Sequence, residues 1–130
     1  MPTQKNACFV GPNAVFTNDL TPRAKLFRDD NVVTLVKEGA SIGANASIRC
    51  GITVGRWAMV GMGSVATDDV MDFAIVYGVP ARHQGWACVC GKRLDLPLGG
   101  SDQSSCVCGR SYTLREGKVT AALATFPEEC

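Results

Sequence analysis

Four of the seven cysteines fall in a repeated motif. Cys88-Val89-Cys90-Gly91-Lys92 returns eighteen residues later as Cys106-Val107-Cys108-Gly109-Arg110. Arg93-Leu94 and Ser111-Tyr112 prolong the echo, each running into strand-like residues. Two thiolates on each of two short hairpins suit a tetrahedral ion with four sulfur ligands. Gly91 and Gly109 allow the tight turn that aims both sulfurs of a hairpin at one metal. The spacing is Cys-x-Cys, one residue shorter than the usual knuckle. Structural zinc on Cys88, Cys90, Cys106 and Cys108 is expected, with disulfides or an iron–sulfur cluster as the other readings. Four protein ligands leave zinc no open position, so the module reads as a staple contributing on the order of 10 kcal/mol to folding.

Elsewhere reactive side chains are few. His83 is the only histidine, and none stands near Cys8 or Cys50 to activate a thiolate. Cys8, Cys50 and Cys130 therefore read as free thiols of a reducing compartment. A formal charge of +1 gives no bulk electrostatic case for nucleic acid or membrane. Lys92, Arg93, Arg110 and Arg115 are basic, but Tyr112 alone interleaves them, so no nucleic-acid partner is expected. No long apolar stretch predicts a transmembrane helix. Met1 to Asn6 lacks the charged and apolar regions of a signal peptide, which points to the cytoplasm.

The element that must position any site is announced by a six-residue beat: Val36, Ile42, Ile48, Val54 and Val60. Ala40, Ala46 and Ala58 stand two residues before beats, and glycine directly follows Val10, Ile42, Val54 and Val60. Helices repeat at 3.6 and half-buried strands at 2, whereas six is the period of a parallel β-helix. If three hexapeptides make one triangular coil, residue n stacks on n+18. Val36 then lies against Val54, Ile42 against Val60 and Ile48 against Ala66, in rungs about 4.8 Å apart. The glycines after the beat are expected to make the corners through positive φ. The next beat falls on Asp72, so the coils should end near Val70.

Val10 and Phe16 belong to an earlier coil, interrupted by residues 17–32. That segment, with Asp19, Pro22, Arg23, Lys25, Arg28, Asp29 and Asp30, reads as a loop thrown from one corner, and such loops are usually functional. Residues 71–82 read as an irregular capping strand and turn. The expected organisation is coils over 1–84, a four-cysteine module over 85–120 and a tail over 121–130. With about three coils and nothing that resembles an N-terminal cap, the expectation is either that the chain lacks coils a complete relative would have or that a partner covers its open end.

These residues resemble the left-handed β-helix hexapeptide-repeat acyltransferases. Phe16-Thr17-Asn18-Asp19-Leu20-Thr21-Pro22-Arg23-Ala24 and Gly39-Ala40-Ser41-Ile42-Gly43-Ala44-Asn45 look like the bacterial UDP-2-acetamido-3-amino-2,3-dideoxy-glucuronate N-acetyltransferases. Gly61-Met62-Gly63-Ser64-Val65 and Gly78-Val79-Pro80-Ala81-Arg82 are further matches, and some relatives carry a cysteine module. The resemblance implies an all-β fold, a left-handed parallel β-helix with a small zinc-ribbon-like module, in an N-terminally short chain. It also implies a homotrimer moving acetyl from acetyl-CoA to the amine of a UDP-amino sugar for surface polysaccharide. Asn18 would orient the amine, with Thr17, Asp19, Arg23 and Lys25 at the sugar nucleotide. Gly61, Met62, Gly63 and Ser64 would meet pantetheine, and Arg82 the nucleotide end of CoA. Asp68 stands where relatives often have lysine.

Hydroxyl acylation needs a base, which relatives supply as a histidine in the wall, whereas an unprotonated amine is already nucleophilic. Lack of a wall histidine favours an amine acceptor and removes a three-histidine carbonic anhydrase. His83 reads as a surface residue of the cap. Three alternatives remain: a catalytically incomplete β-helix acting as a structural or interaction protein, a 4-amino sugar, or an O-acetylated acceptor.

Overall fold

The structure, a computed structural model, describes the backbone of residues 2–4 and all of 7–26 and 32–122. Met1, Asn6, Arg28, Asp29, Asp30, Cys130 and the tail from 123 onward lie outside the described residues. Among those described, all regular structure is β, and no helix is long and apolar enough to cross a membrane. Wall A holds β1 (Pro2–Gln4), β4 (Thr34–Val36) and β7 (Thr53–Val54). Wall B holds β2 (Phe9–Val10), β5 (Ser41–Ile42) and β8 (Met59–Val60). Wall C holds β3 (Val15–Phe16), β6 (Ser47–Ile48) and β9 (Val65–Ala66). All pairs within these walls are parallel, and the chain visits A, B and C in turn, which makes a β-helix.

The eighteen-residue stacking holds: Val36 pairs with Val54, Ile42 with Val60 and Ile48 with Ala66. Val36, Ile42, Ile48 and Val54 are completely buried, as are Ala40, Ala46 and Ala58 beside the corners. Branched residues thus fill the prism, each burial contributing about 1.5–3 kcal/mol. Val10 pairs with Ile42 and Phe16 with Ile48, thirty-two residues apart instead of eighteen, so the loop adds fourteen residues to this coil.

Two expectations are corrected. The glycines after the beat (Gly11, Gly43, Gly55 and Gly61) do not have positive φ. They are needed for room: a Cβ on Gly43 would lie 2.5 Å from the Met62 amide nitrogen, and one on Gly55 2.5 Å from that of Asp72. The left-handed corner falls two residues later, at Asn13, Gly39, Asn45, Gly51, Trp57, Gly63 and Phe73. Each amide one residue past Asn13, Gly39, Asn45, Trp57 and Gly63 closes a turn on the carbonyl three back, at 3.2–3.3 Å. Bulky residues rarely adopt this conformation. Trp57 adopts it with its ring against Gly39, where a Cβ would lie 2.3 Å from the indole.

The coils also run past Val70. Val54 bridges to Val70 and Val60 pairs with Val76, each sixteen residues apart, so two residues are dropped from the last coil. That shift brings valine into both columns and leaves Asp72 outside. Asp69 and Asp72 then accept the amides of Thr53 and Arg56, each at 2.8 Å.

β10 (Ala74–Gly78) continues wall B, and β11 (Ala81–Ala87) folds back antiparallel after a cis Val79–Pro80 bond. β12 (Arg93–Leu94) extends the same sheet. The sheet therefore crosses residue 84 unbroken, and Trp86, Ala87 and Cys88 just beyond it are buried. β13 (Asp102–Ser105), β14 (Ser111–Arg115) and β15 (Lys118–Ala121) form a separate antiparallel sheet. Its Tyr112, Leu114 and Val119 join the same core as the columns.

Candidate functional site

The loop leaves the prism where wall C turns toward wall A. The Thr17 amide donates to the Ile48 carbonyl at 3.0 Å, and Thr17 Oγ1 accepts the Cys50 amide at 2.9 Å. Asp19 Oδ1 accepts the Thr21 amide at 2.9 Å, closing an Asx turn. Asn18, held between these two anchors, is exposed, as are Arg23 and Lys25.

Gly61, Met62, Gly63 and Ser64 occupy a different corner, where wall B turns into wall C. The amides of Gly61, Gly63 and Ser64 donate to Val76, Ala44 and Gly61 carbonyls, and the Met62 side chain is 79% exposed. Ser64 is buried, and its Oγ accepts the Gly78 amide at 3.1 Å. That bond, not foreseen from sequence, pins the start of the Gly78–Pro80 turn over the corner. Loop and glycine turn thus flank the two edges of wall C rather than meeting within one prism.

At the C-terminal end of wall C lies a cleft of about 140 Å³ lined by Thr67, Asp68, Asp69, Arg82 and His83 among others. Arg82 Nη1 is 4.0 Å from Asp68 Oδ2, both side chains being well exposed, so screening leaves the pair weak. His83 is half-buried, not on the open surface. Its Nε2 pairs with the Gly85 carbonyl at 2.9 Å, and its ring meets Trp86 edge-on at 4.4 Å. Burial lowers its pKa, partly opposed by the Gly85 carbonyl. Cys50 is buried, and Cys8 Sγ donates to the Lys37 carbonyl at 3.2 Å, so neither resembles an activated nucleophile.

The sulfurs of Cys88, Cys90, Cys106 and Cys108 all lie within 4.8 Å of one another. Two close pairs cross between knuckles, Cys88 with Cys108 and Cys90 with Cys106, each at 3.5 Å. A disulfide requires about 2.05 Å, and these cysteines are free. A tetrahedral ion with bonds of about 2.3 Å spaces its sulfurs by about 3.8 Å, which this set fits. Both knuckles share one backbone plan. Gly91 donates to Cys88 O and Gly109 to Cys106 O, while Cys88 and Cys106 donate to Lys92 and Arg110 carbonyls. Both glycines have strongly positive φ, as the tight turn requires.

Two further residues serve this cluster. The Tyr112 hydroxyl donates to Cys88 Sγ at 3.0 Å and accepts the Val89 amide at 2.9 Å. Arg110 Nη1 donates to Cys108 Sγ at 3.3 Å. Hydrogen bonds from Arg110 pull the Cys108 pKa down to about 6, whereas burial pushes Cys88 up to about 12. Burial also raises Tyr112, reinforced by its bond to Cys88. In sequence both residues were visible as members of the echo and of a basic stretch, not as partners of the sulfurs.

No family model matches the sequence. The dTDP-3-amino-3,6-dideoxy-α-D-galactopyranose 3-N-acetyltransferase of Aneurinibacillus thermoaerophilus is 46% identical over 87 residues, covering 67% of this chain and 44% of that protein. The coils are similar to those of the hexapeptide-repeat acetyltransferases. The serine acetyltransferase of Haemophilus influenzae is 47% identical over 47 residues, 36% of this chain and 18% of that enzyme. Perosamine N-acetyltransferase from Caulobacter crescentus, solved with CoA and GDP-perosamine, superposes with a TM-score of 0.51 at 27% identity. That match covers 65% of this chain and 33% of that one. AntD, an N-acyltransferase from Bacillus cereus, gives a TM-score of 0.57 at 18% identity over 65% of this chain and 52% of its own, a likeness of fold. This hexapeptide-repeat chain spans less than half the length of the curated relatives it matches.

Proposed function

We propose that this chain carries an acyltransferase site that moves acetyl from acetyl-CoA to the amine of a nucleotide-linked amino sugar. The supporting observation is its identity with an enzyme named for a dTDP-linked 3-amino sugar. The UDP sugar of the sequence resemblance and that dTDP sugar are both amines on a pyrimidine diphosphate. The product is a building block for surface polysaccharide. Acetyl-CoA and the sugar nucleotide place the reaction in the cytoplasm.

In this reading three copies with left-handed coils assemble around wall C. The Asn18 loop of one protomer then faces the Gly61–Ser64 corner of the next. The side-chain carbonyl of Asn18 accepts a hydrogen bond from the neutral amine and aims its lone pair at the thioester carbon. The C–N bond forms and the C–S bond breaks; the proton passes to solvent or to the departing thiolate. Thr17 and Asp19 fix Asn18 through their bonds to Cys50 and Thr21. Arg23 and Lys25 meet the acidic part of the sugar nucleotide. At the corner, carbonyls of Met62 and Gly63 receive pantetheine, and Arg82 serves the CoA phosphates. His83, occupied with Gly85 and Trp86, is not the base.

Zinc is the metal assigned to Cys88, Cys90, Cys106 and Cys108 in a zinc-ribbon-like module. The compact four-sulfur set suits one tetrahedral ion, whereas a cluster of several irons holds its thiolates farther apart. The module begins at 85 in function, although β11 enters it without a break.

Purified chain is incubated with acetyl-CoA and either dTDP- or UDP-linked 3-amino sugars, and acetylated product is followed by mass spectrometry. Turnover is expected, with the protein running as a zinc-loaded trimer. Absence of product and of acetyl-CoA binding would favour the second reading, a structural or interaction protein. Asp68 beside Arg82 is the observation that supports it.

A further inference from the structure

We propose that Tyr112 is a positioning residue that ties the four-thiolate metal centre to the last corner of the coil. Metal binding thereby orders the β10–β11 hairpin that carries Arg82. This rests on the metal and acyltransferase readings above.

The contacts close a ring. Tyr112 is 2% exposed, and its hydroxyl is shared between Cys88 Sγ and the Val89 amide. Its ring meets Phe73 edge-on, with centroids 5.4 Å apart. Phe73 is the left-handed corner of the final coil, buried, with its amide on the Arg56 carbonyl at 2.8 Å. Its carbonyl accepts the Ala87 amide at 2.7 Å, one residue before Cys88. Tyr112 lies on β14 of the separate β13–β15 sheet and Cys106-Cys108 in the turn that joins β13 to β14, while Cys88 directly follows β11. One ion on all four sulfurs therefore joins that sheet to the end of wall B. A phenol donating to a metal-bound thiolate stabilises its charge and fixes its rotamer, and such outer contacts govern affinity by about 10–100-fold.

Between Phe73 and Cys88 lies the whole hairpin: β10 against β8, the turn held by Ser64, then Arg82 and His83 at the cleft on wall C. Both of its ends are held, one by the coil and the other by the metal. Releasing the metal end frees β11 while leaving β10 on its rung.

The test uses the full chain and Tyr112→Phe, which keeps the ring on Phe73 and removes only the hydroxyl. Metal affinity is read by competition with a chromophoric chelator, and cobalt substitution reports the sulfur-to-metal charge-transfer band. Tyr112→Phe should bind about 10–100-fold more weakly, with a shifted band and unchanged circular dichroism. Hydrogen exchange is measured with and without metal. Stripping zinc should deprotect residues 81–87 as well as 88–112 and weaken acetyl-CoA binding, leaving 40–66 protected. Wild-type metal affinity and spectrum in Tyr112→Phe would overturn the proposal, as would failure to bind metal. Exchange changes confined to 88–112 would overturn the coupling while leaving the acyltransferase intact. Coupled exchange without acetyl-CoA binding would support the coupling and refute the enzymatic reading instead.

Discussion

Gly43→Ala tests why glycine follows the beat. The added Cβ would lie 2.5 Å from the Met62 amide nitrogen and 2.8 Å from Gly61 C and Met62 Cα, all backbone of the next coil. Ordinary contact begins near 3.4 Å, so the rungs must part locally by about 0.9 Å. The Gly43-to-Val60 and Gly63-to-Ala44 hydrogen bonds, each 2.8 Å, cross that gap and lengthen beyond useful range. Two such bonds cost about 2 kcal/mol, and overpacking adds about 1–3 kcal/mol. A loss of about 3–5 kcal/mol is a large share of the 5–15 kcal/mol typical of a domain.

The contrast is Gly63→Ala. Its φ is +69°, but its Cβ would meet nothing within 4 Å. Left-handed strain costs about 1–2 kcal/mol, partly offset by about 0.4–1 kcal/mol from a stiffer unfolded chain. Both variants, zinc-loaded, are compared by urea unfolding monitored by circular dichroism. The stiffer unfolded chain is common to both, so Gly43→Ala should be the less stable by at least about 1 kcal/mol. Equal stability, or the reverse order, would refute the assignment of room to Gly43 and of φ to Gly63.

Gly39→Ala should drive the Trp57 indole from its place, and Trp57→Ala should relieve that clash. A double-mutant cycle is expected to give coupling of about 1–2 kcal/mol, whereas additivity would mean the ring moves freely. Asn18→Ala should lower kcat about 10²-fold on the amino sugar with the acetyl-CoA KM unchanged; a full rate would remove Asn18 from the mechanism. Burial holds the folded pKa of His83 below its unfolded value near 6.5. Over the window between them the unfolded chain binds more protons, so this contribution is complete above pH 6.5 and falls on acidification. His83→Gln should flatten the urea-midpoint profile below pH 6.5, and an unchanged slope would assign the acid sensitivity elsewhere.

The columns were legible because a buried interior admits few side chains, and six-residue spacing of Val and Ile has no helical or simple-strand equivalent. Glycine was legible as a residue type but not in its reason. Gly43 and Gly63 look alike in sequence, yet one answers to a neighbour across the rung and the other to its own backbone. Trp57 and Phe73 as left-handed corners were beyond reach, since bulky residues are the last expected there. The two-residue slip was hidden because Asp72 occupies the continuing beat, and only the new pairing of Val54 with Val70 shows where the wall went. The clustering of four thiols was readable from the echo. The shared phenol of Tyr112 was not, because it depends on how β14 lies against Phe73.

The three walls are not equivalent, and the difference bears on where chemistry can occur. Wall A faces β15 across a cleft of about 360 Å³ in which Lys118, Val119 and Thr120 oppose Lys37, Thr53 and Asp69–Asp72. Wall B is prolonged by β10, β11 and β12 into the cysteine module. Wall C, among the described residues, gains no further strand, although β10 and β11 approach β9. Its outward Val15 is 52% exposed, with Ser47 and Val65 half-buried beside it. One edge carries the anchored Asn18, the other the Gly61–Ser64 corner, and Arg82 stands at its C-terminal end. Long thin ligands need a continuous flat face with polar groups at its margins, and this prism offers that on wall C. The four-cysteine module joins the prism at another wall, through the β10–β11 hairpin that prolongs wall B.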